Sequence, residues 1–200
     1  MMRTRTITAA LLAAITLAAS ALAASTVADP LRLALQKTDV AANTYGSGPK
    51  RISASALAPL GVRGLKGADW HYLIPAGGQV DTAAGPLPKE WAVNGDVFVA
   101  PTVGAARELF RRGKRAQTGF FSDVAGTPRY MTMRSYGDEQ LAFTTIELGN
   151  VHAYVFVRRG AVVWQLRASG SPPKWRAPRA QVLAQLTQHA AKLKRRVGRG

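Results

Sequence analysis

Between Leu141 and Ala168 most positions are β-branched, aromatic or otherwise apolar, and two breaks, Gly149-Asn150 and Arg159-Gly160, fall at turn spacing. This pattern predicts three antiparallel strands joined by two tight turns. In the middle strand Val151, Ala153, Val155 and Val157 share one face, and His152, Tyr154 and Phe156 share the other, because side chains alternate along a strand. A strand apolar on both faces belongs in the centre of a sheet, covered on each side. In the next strand Val162, Trp164, Leu166 and Ala168 alternate with Val163, Gln165 and Arg167, so only one face must be dry.

The flanking chain adds helices and shorter strands. Asp29-Pro30 is a helix start, with Asp as the cap and Pro at the first helical position. Leu31, Ala34, Leu35, Thr38, Ala41, Ala42 and Tyr45 then recur at helical spacing, predicting a helix over 30–44. Glycines and prolines make 46–69 and 75–90 read as loops around a short strand, Trp70 to Ile74. A second strand is expected over Glu90 to Ala100. Next comes a helix capped by Thr102 and stopped at Gly113, with Val103, Ala106, Leu109 and Phe110 buried and Glu108 paired to Arg112. Phe120-Phe121 follows it, and Tyr130 to Ser135 reads as a further strand. After Ser171-Pro172-Pro173, a last helix from Pro178 carries the stripe Val182, Leu183, Leu186, Ala190, Leu193 and Val197, with its basic end projecting outward. Consecutive strands with tight turns, flanked by helices, predict an α+β domain. Its antiparallel sheet should have about five or six strands, covered by N-terminal, middle and C-terminal helices.

The two ends change this picture. Arg3 and Arg5 precede an apolar Ala/Leu-rich run and the small-x-small triplet Ala21-Leu22-Ala23, the layout of a secretory signal peptide over 1–23. The alternative is an uncleaved anchor. Residues 24–200 then form a single extracellular domain, long enough for an ordinary core and without a transmembrane span in the mature chain. There is no cysteine, so no disulfide, lipidated cysteine or thiolate metal site can form. The formal net charge is +16, or +14 without Arg3 and Arg5. No acidic residue follows Glu147, while 11 Lys and Arg do. Outside a cell the abundant anionic partners are lipid head groups and cell-wall polymers; nucleic acid is a lesser expectation.

Catalytic signatures are sparse. G-x-S-x-G, H-E-x-x-H and P-loop patterns are absent. Asp69 and His71 form a D-x-H pair, too few groups for a metal site, since zinc takes three or four protein ligands. His152 reads as a core histidine with satisfied nitrogens, and His189 as solvated on the polar side of the last helix. Asp138 and Glu139, being adjacent, should point to opposite faces and cannot form an acid/base dyad. Asp138 reads as a turn residue bonded to its own backbone. No catalytic residue, metal or cofactor is therefore assigned. Trp175, in a Pro-rich loop between two cations, can either face a partner or cap the sheet edge. With Lys192, Lys194, Arg195, Arg196 and Arg199 it makes the candidate contact set for an anionic surface.

Tyr136-Gly137-Asp138-Glu139, then Ala153 to Leu166 containing Phe156-Val157-Arg158-Arg159-Gly160, then an Ala/Leu-rich final helix, resembles a known pattern. It is similar to the extracellular sensor-type domains of actinobacterial exported proteins and lipoproteins, which also form the extracellular end of some receptor serine/threonine kinases. There an "lGDEa" turn precedes strands carrying "vvfRrGnvvv". The resemblance covers about 130–195. It implies an α+β domain with a cleft for an unidentified ligand. This chain departs from the pattern in having no cysteines, no lipid-attachment site and no kinase domain.

The expected function is thus an exported, non-catalytic ligand-binding or sensor-like domain, with the ligand, a small molecule or envelope component, between the sheet and its helices. The alternatives are a basic protein attached to anionic envelope surfaces, and a secreted hydrolase using Asp69, His71 or Asp138. Cleavage after Ala23 is expected: N-terminal sequencing of exported material should begin at Ala24, and an intact Met1 terminus in the membrane fraction would contradict it.

Overall fold

The computed structural model describes residues 28–116, 127–147, 149–172 and 175–198. The expected signal peptide over 1–23, Phe120-Phe121, Lys174 and Arg199 lie outside them. The elements are α1 (Pro30–Leu33), β1 (Tyr45–Arg51), α2 (Ala54–Leu57), β2 (Lys66–Thr82), β3 (Gly85–Val99), α3 (Val103–Ala116), β4 (Arg129–Tyr130), β5 (Glu139–Glu147), β6 (Asn150–Arg159), β7 (Val162–Ser171) and α4 (Arg179–Val197). All strands pair antiparallel in one seven-stranded sheet, ordered β1-β2-β3-β7-β6-β5-β4. The α+β class is as the pattern predicts, with seven strands where five or six were expected.

Strand alternation sorts the sheet into two layers. Trp70, Tyr72, Val93, Val97, Val155, Val157, Trp164, Leu166 and Ala168 face α4 and join Val182, Leu186, Ala190 and Leu193 in the larger core. Phe98, Phe143, Tyr154, Phe156 and Val163 face the other way and meet Ala106, Leu109 and Phe110 of α3. The Phe110 and Phe156 rings stack at 4.8 Å. β6 is therefore dry on both faces, as its composition requires. Thr102 caps α3 by accepting from the Ala105 N–H at 3.1 Å, but the helix runs through Gly113, which is buried, to Ala116.

Several local expectations fail for identifiable reasons. The predicted helix over 30–44 is a single turn, because Leu33, Ala34 and Leu35 are buried in succession, which no one helical face allows. Gln36 then folds back, donating to the carbonyls of Leu31 and Ala34, while Asp39 accepts from the Gln36 N–H. The loop expected over 46–69 contains edge strand β1. Its register slips between Ser47 and Lys50, the interval that holds Pro49, and a proline without an N–H is tolerated at such an edge. Gly46, at φ +116°, lies against the backbone of His71, leaving no room for a Cβ. The loop expected over 75–90 is the outer half of the β2–β3 hairpin, whose strands are 17 and 15 residues long. In the opposite direction, the strand expected over 130–135 is reduced to Arg129–Tyr130.

The glycine-acid turn before β5 is fastened to the β6–β7 turn. Asp138 accepts from the Gly160 N–H at 2.9 Å and from Arg158 Nη1 at 2.8 Å, and Glu139 accepts from Arg158 Nε at 2.6 Å. Both carboxylates converge on one guanidinium, contrary to the expectation that they diverge and that Asp138 serves its own turn. The Gly160 amide, then Arg158, holds the Asp138 carboxyl below its usual value.

Gly95 pairs with Trp70 across the hairpin, and a Cβ there would overlap the indole and the Gln165 carbonyl. Gly95→Ala should therefore cost about 1–3 kcal/mol, as overpacking does. Urea unfolding reads this, and an unchanged midpoint would contradict the packing described.

Candidate functional site

The α3 face of the sheet is apolar only where α3 covers it. Antiparallel partners share a face, so the register lays out the remainder as rows. Asp69, Asp96 and Gln165 lie side by side across β2, β3 and β7. The next row is His71, Asn94, Arg167 and Tyr154, and the one after it Ala92, Ser169, His152 and Thr145. From the last two rows His71, Asn94, Arg167, Ala92, Ser169 and His152, with Glu147 and Asn150, line a cleft of about 260 Å³.

Arg167 and His152 organise this cleft. Arg167 Nη2 bonds His152 Nδ1 at 2.7 Å, and its guanidinium carbon lies 5.7 Å from the centre of the Tyr154 ring. A guanidinium can only donate, so Nδ1 is the acceptor and the proton of the neutral ring sits on Nε2. Nε2 lies 3.7 Å from Glu147 Oε2. Burial, then the charge of Arg167, pushes the His152 pKa down to about 4. Arg167 itself has no carboxylate within ion-pair distance among the described residues, and its Nε is buried without a hydrogen-bond partner.

His71 stands exposed at the rim, its pKa lowered by partial desolvation and then by Arg167. Its neighbour Asp69 pairs with Asp96 across the strands. Asp96 accepts from the Gln165 amide, and burial raises its pKa to about 6, with the Asp69 charge adding to the rise. Asp138 is fastened to Arg158 and Gly160 at the β6–β7 turn, so Asp69, His71 and Asp138 do not form one group. Among the described residues no set of three His, Cys, Asp or Glu could hold a metal.

The ligand position expected between sheet and helices is filled by side chains: both helix-covered areas are packed core, and the opening lies beside α3. His152 is buried, as expected, with Nδ1 hydrogen-bonded to Arg167 and Nε2 3.7 Å from Glu147, but it also walls the cleft. His189, expected in solvent, is 1% exposed, with Nδ1 2.8 Å from the Gln185 carbonyl and a pKa lowered chiefly by burial. Trp175 lies against Trp91 of β3, ring centres 4.6 Å apart, and beside Gly170 of β7, so it covers interior strands and not the sheet edge. In the C-terminal cluster, Lys192 donates to the Asp39 carbonyl, Lys194 to the Ser135 carbonyl at 2.9 Å, and Arg196 to the Asp39 carboxylate at 2.6 Å. Arg195 is exposed. Sequence reading assigned no binding role to Asn94, Arg167 or Ser169. The available signal was the polar series Gln165, Arg167, Ser169 at alternate positions of β7.

The fold and cleft define the class: an α+β domain with one sheet face sealed by a helix and the other half-sealed beside a polar cleft. No protein-family model and no curated protein matches the chain. Among solved structures, the extracellular domain of PknH from Mycobacterium tuberculosis is similar with a TM-score of 0.41 and 14% identity, over 80% of this chain and 93% of that one. At that level the resemblance is weak and says nothing about a ligand.

His152 and Asp96 make opposing contributions to stability on acidification. His152, ordinarily 6.5, stays neutral in the fold to about pH 4, so its share of stability is complete above 6.5 and is lost as pH falls towards 4. Asp96, ordinarily 3.8, takes up its proton near pH 6 in the fold, so its protonation adds stability as pH falls from about 6 towards 3.8. Each is worth about 3 kcal/mol. Urea unfolding at stepped pH should show a steeper acid loss in Asp96→Asn than in the parent chain, and a shallower one in His152→Gln.

Proposed function

We propose that this chain is an exported, non-catalytic binding domain of the sensor type, and that the cleft beside α3 receives its ligand. Export is supported by Arg3, Arg5, the apolar run after them and Ala21-Leu22-Ala23. No helix among the described residues is long and apolar enough to cross a membrane.

The observation that carries the reading is Arg167. A partly buried guanidinium that lines the cleft, with no carboxylate at ion-pair distance among the described residues, has Nη N–H groups that a ligand acceptor can satisfy. Asn94, Ser169 and His71 add neutral polar groups around it. A small polar molecule bearing a carboxylate or a similar planar acceptor fits this set.

Catalysis is disfavoured by the same geometry. His152 gives Nδ1 to Arg167 and turns Nε2 towards Glu147, so neither nitrogen is free to take a proton from Ser169. A hydrolase built on Asp69 and His71 would lack the third group that Asp138 was expected to supply.

The test is an NMR titration of the mature chain with acetate, succinate, glutamate and N-acetylalanine, observing the His71 and His152 rings. At least one probe should saturate, and Arg167→Gln should weaken it by about ten- to a hundredfold, the loss of one charged hydrogen-bonding group. Equal affinity in the variant, or no ring response to any probe, would overturn the assignment.

A further inference from the structure

A second concavity, of about 430 Å³, lies where the last turn of α4 meets the segment before β5. Its walls carry Arg134, Tyr136, Arg159, Lys194 and Arg195. These four cations come from three separate parts of the chain, so the fold, and not a run of basic sequence, assembles them.

Their charge is not neutralised in place. None of the four forms an ion pair among the described residues, whereas neighbouring Arg196 is bound to Asp39. Lys194 is steadied by the Ser135 carbonyl, and Arg159 Nη1 donates to the Lys194 carbonyl at 3.3 Å. Carbonyls thus orient these cations without cancelling them. Asp138 feels the charge of Arg159, but its carboxylate already serves Gly160 and Arg158. The helix C-terminus offers about half a negative charge, far short of four cations. Tyr136 is fully buried in the wall, and its hydroxyl has no hydrogen-bond partner.

The geometry points to an anion site in this pocket, with a phosphoryl group as the chemistry it takes. A phosphoryl group presents several oxygens to separate donors, and guanidinium forks match its geometry. A carboxylate would engage one fork and leave the other cations uncompensated. The site is on the α4 side of the sheet and does not involve Arg167, so it stands or falls independently of the cleft beside α3.

The experiment uses the mature chain at low salt with three probes: inorganic phosphate, glycerol 3-phosphate, and phosphatidylglycerol vesicles with phosphatidylcholine vesicles as the neutral reference. Calorimetry reads the solutes, and co-sedimentation reads the vesicles. Arg134→Gln/Arg195→Gln removes two exposed cations of the pocket, and Arg111→Gln/Arg115→Gln removes the same charge from α3; thermal melts check that both fold. Binding should fall tenfold or more in the first variant and stay within twofold in the second. Saturable binding of the solutes identifies a free phosphorylated ligand. Sedimentation with phosphatidylglycerol alone, without solute binding, identifies a lipid head group. Equal weakening in both variants would mean diffuse charge attraction and overturn the site, as would no binding to any probe.

Discussion

α3, with 14 residues, covers only part of its sheet face, the part where Ala106, Leu109 and Phe110 meet Phe98, Phe156 and Val163. α4, with 19 residues, seals its face more completely. The shortfall on the α3 side decides where apolar residues can stand. Under the helix they are Phe98, Phe156 and Val163; beyond it the same strands switch to Asn94, Arg167, His152 and Ser169. The cleft is the region of sheet that the shorter helix leaves open, and its polarity follows from that exposure. Gly95 belongs to the sealed side, where it makes room for Trp70 beneath α4.

The residues that carry the resemblance to sensor-type domains have a structural task. Gly137 lies against the Arg158 carbonyl and Val157, where a Cβ has no space, and Asp138 with Glu139 grips the buried Arg158. Gly160, at φ +56°, closes the β6–β7 turn and donates its N–H to the same carboxylate. Hydrogen bonds to charged groups contribute about 1.5–3 kcal/mol, discounted here because both carboxylates are partly exposed. This clasp fixes the end of the sheet remote from the cleft. It also brings Arg159 alongside α4, which makes the basic pocket possible.

Composition gave the C-terminal cations a common appearance that tertiary contacts divide. Lys192 and Arg196 tie α4 to the N-terminal segment through Asp39, so they are structural. Lys194 and Arg195 turn towards Arg134 and Arg159. The four described cations of this cluster are therefore held by different partners.

The sequence by itself determined the class of fold, the β5–β6–β7 strands, their facing and the buried stripe of α4, because periods of two and 3.6 are local properties that burial must respect. It also located the cap of α3 and the turns at Gly149 and Gly160. It did not reveal β1 or the full β2–β3 hairpin, since Gly46-Ser47-Gly48-Pro49 and the glycines and prolines of 75–90 oppose strand formation locally and are overridden by cross-strand pairing. It misplaced His189, whose position at the margin of the apolar stripe leaves its burial to whatever packs against α4. Neither the cleft nor the basic pocket was legible as a site. His71, Asn94, Arg167 and His152 lie on four strands and become neighbours only through register, which is set by pairings between distant segments. Arg134, Arg159 and Lys194 meet only because the Arg158 clasp and the docking of α4 bring three chain segments together, and that convergence is a tertiary property.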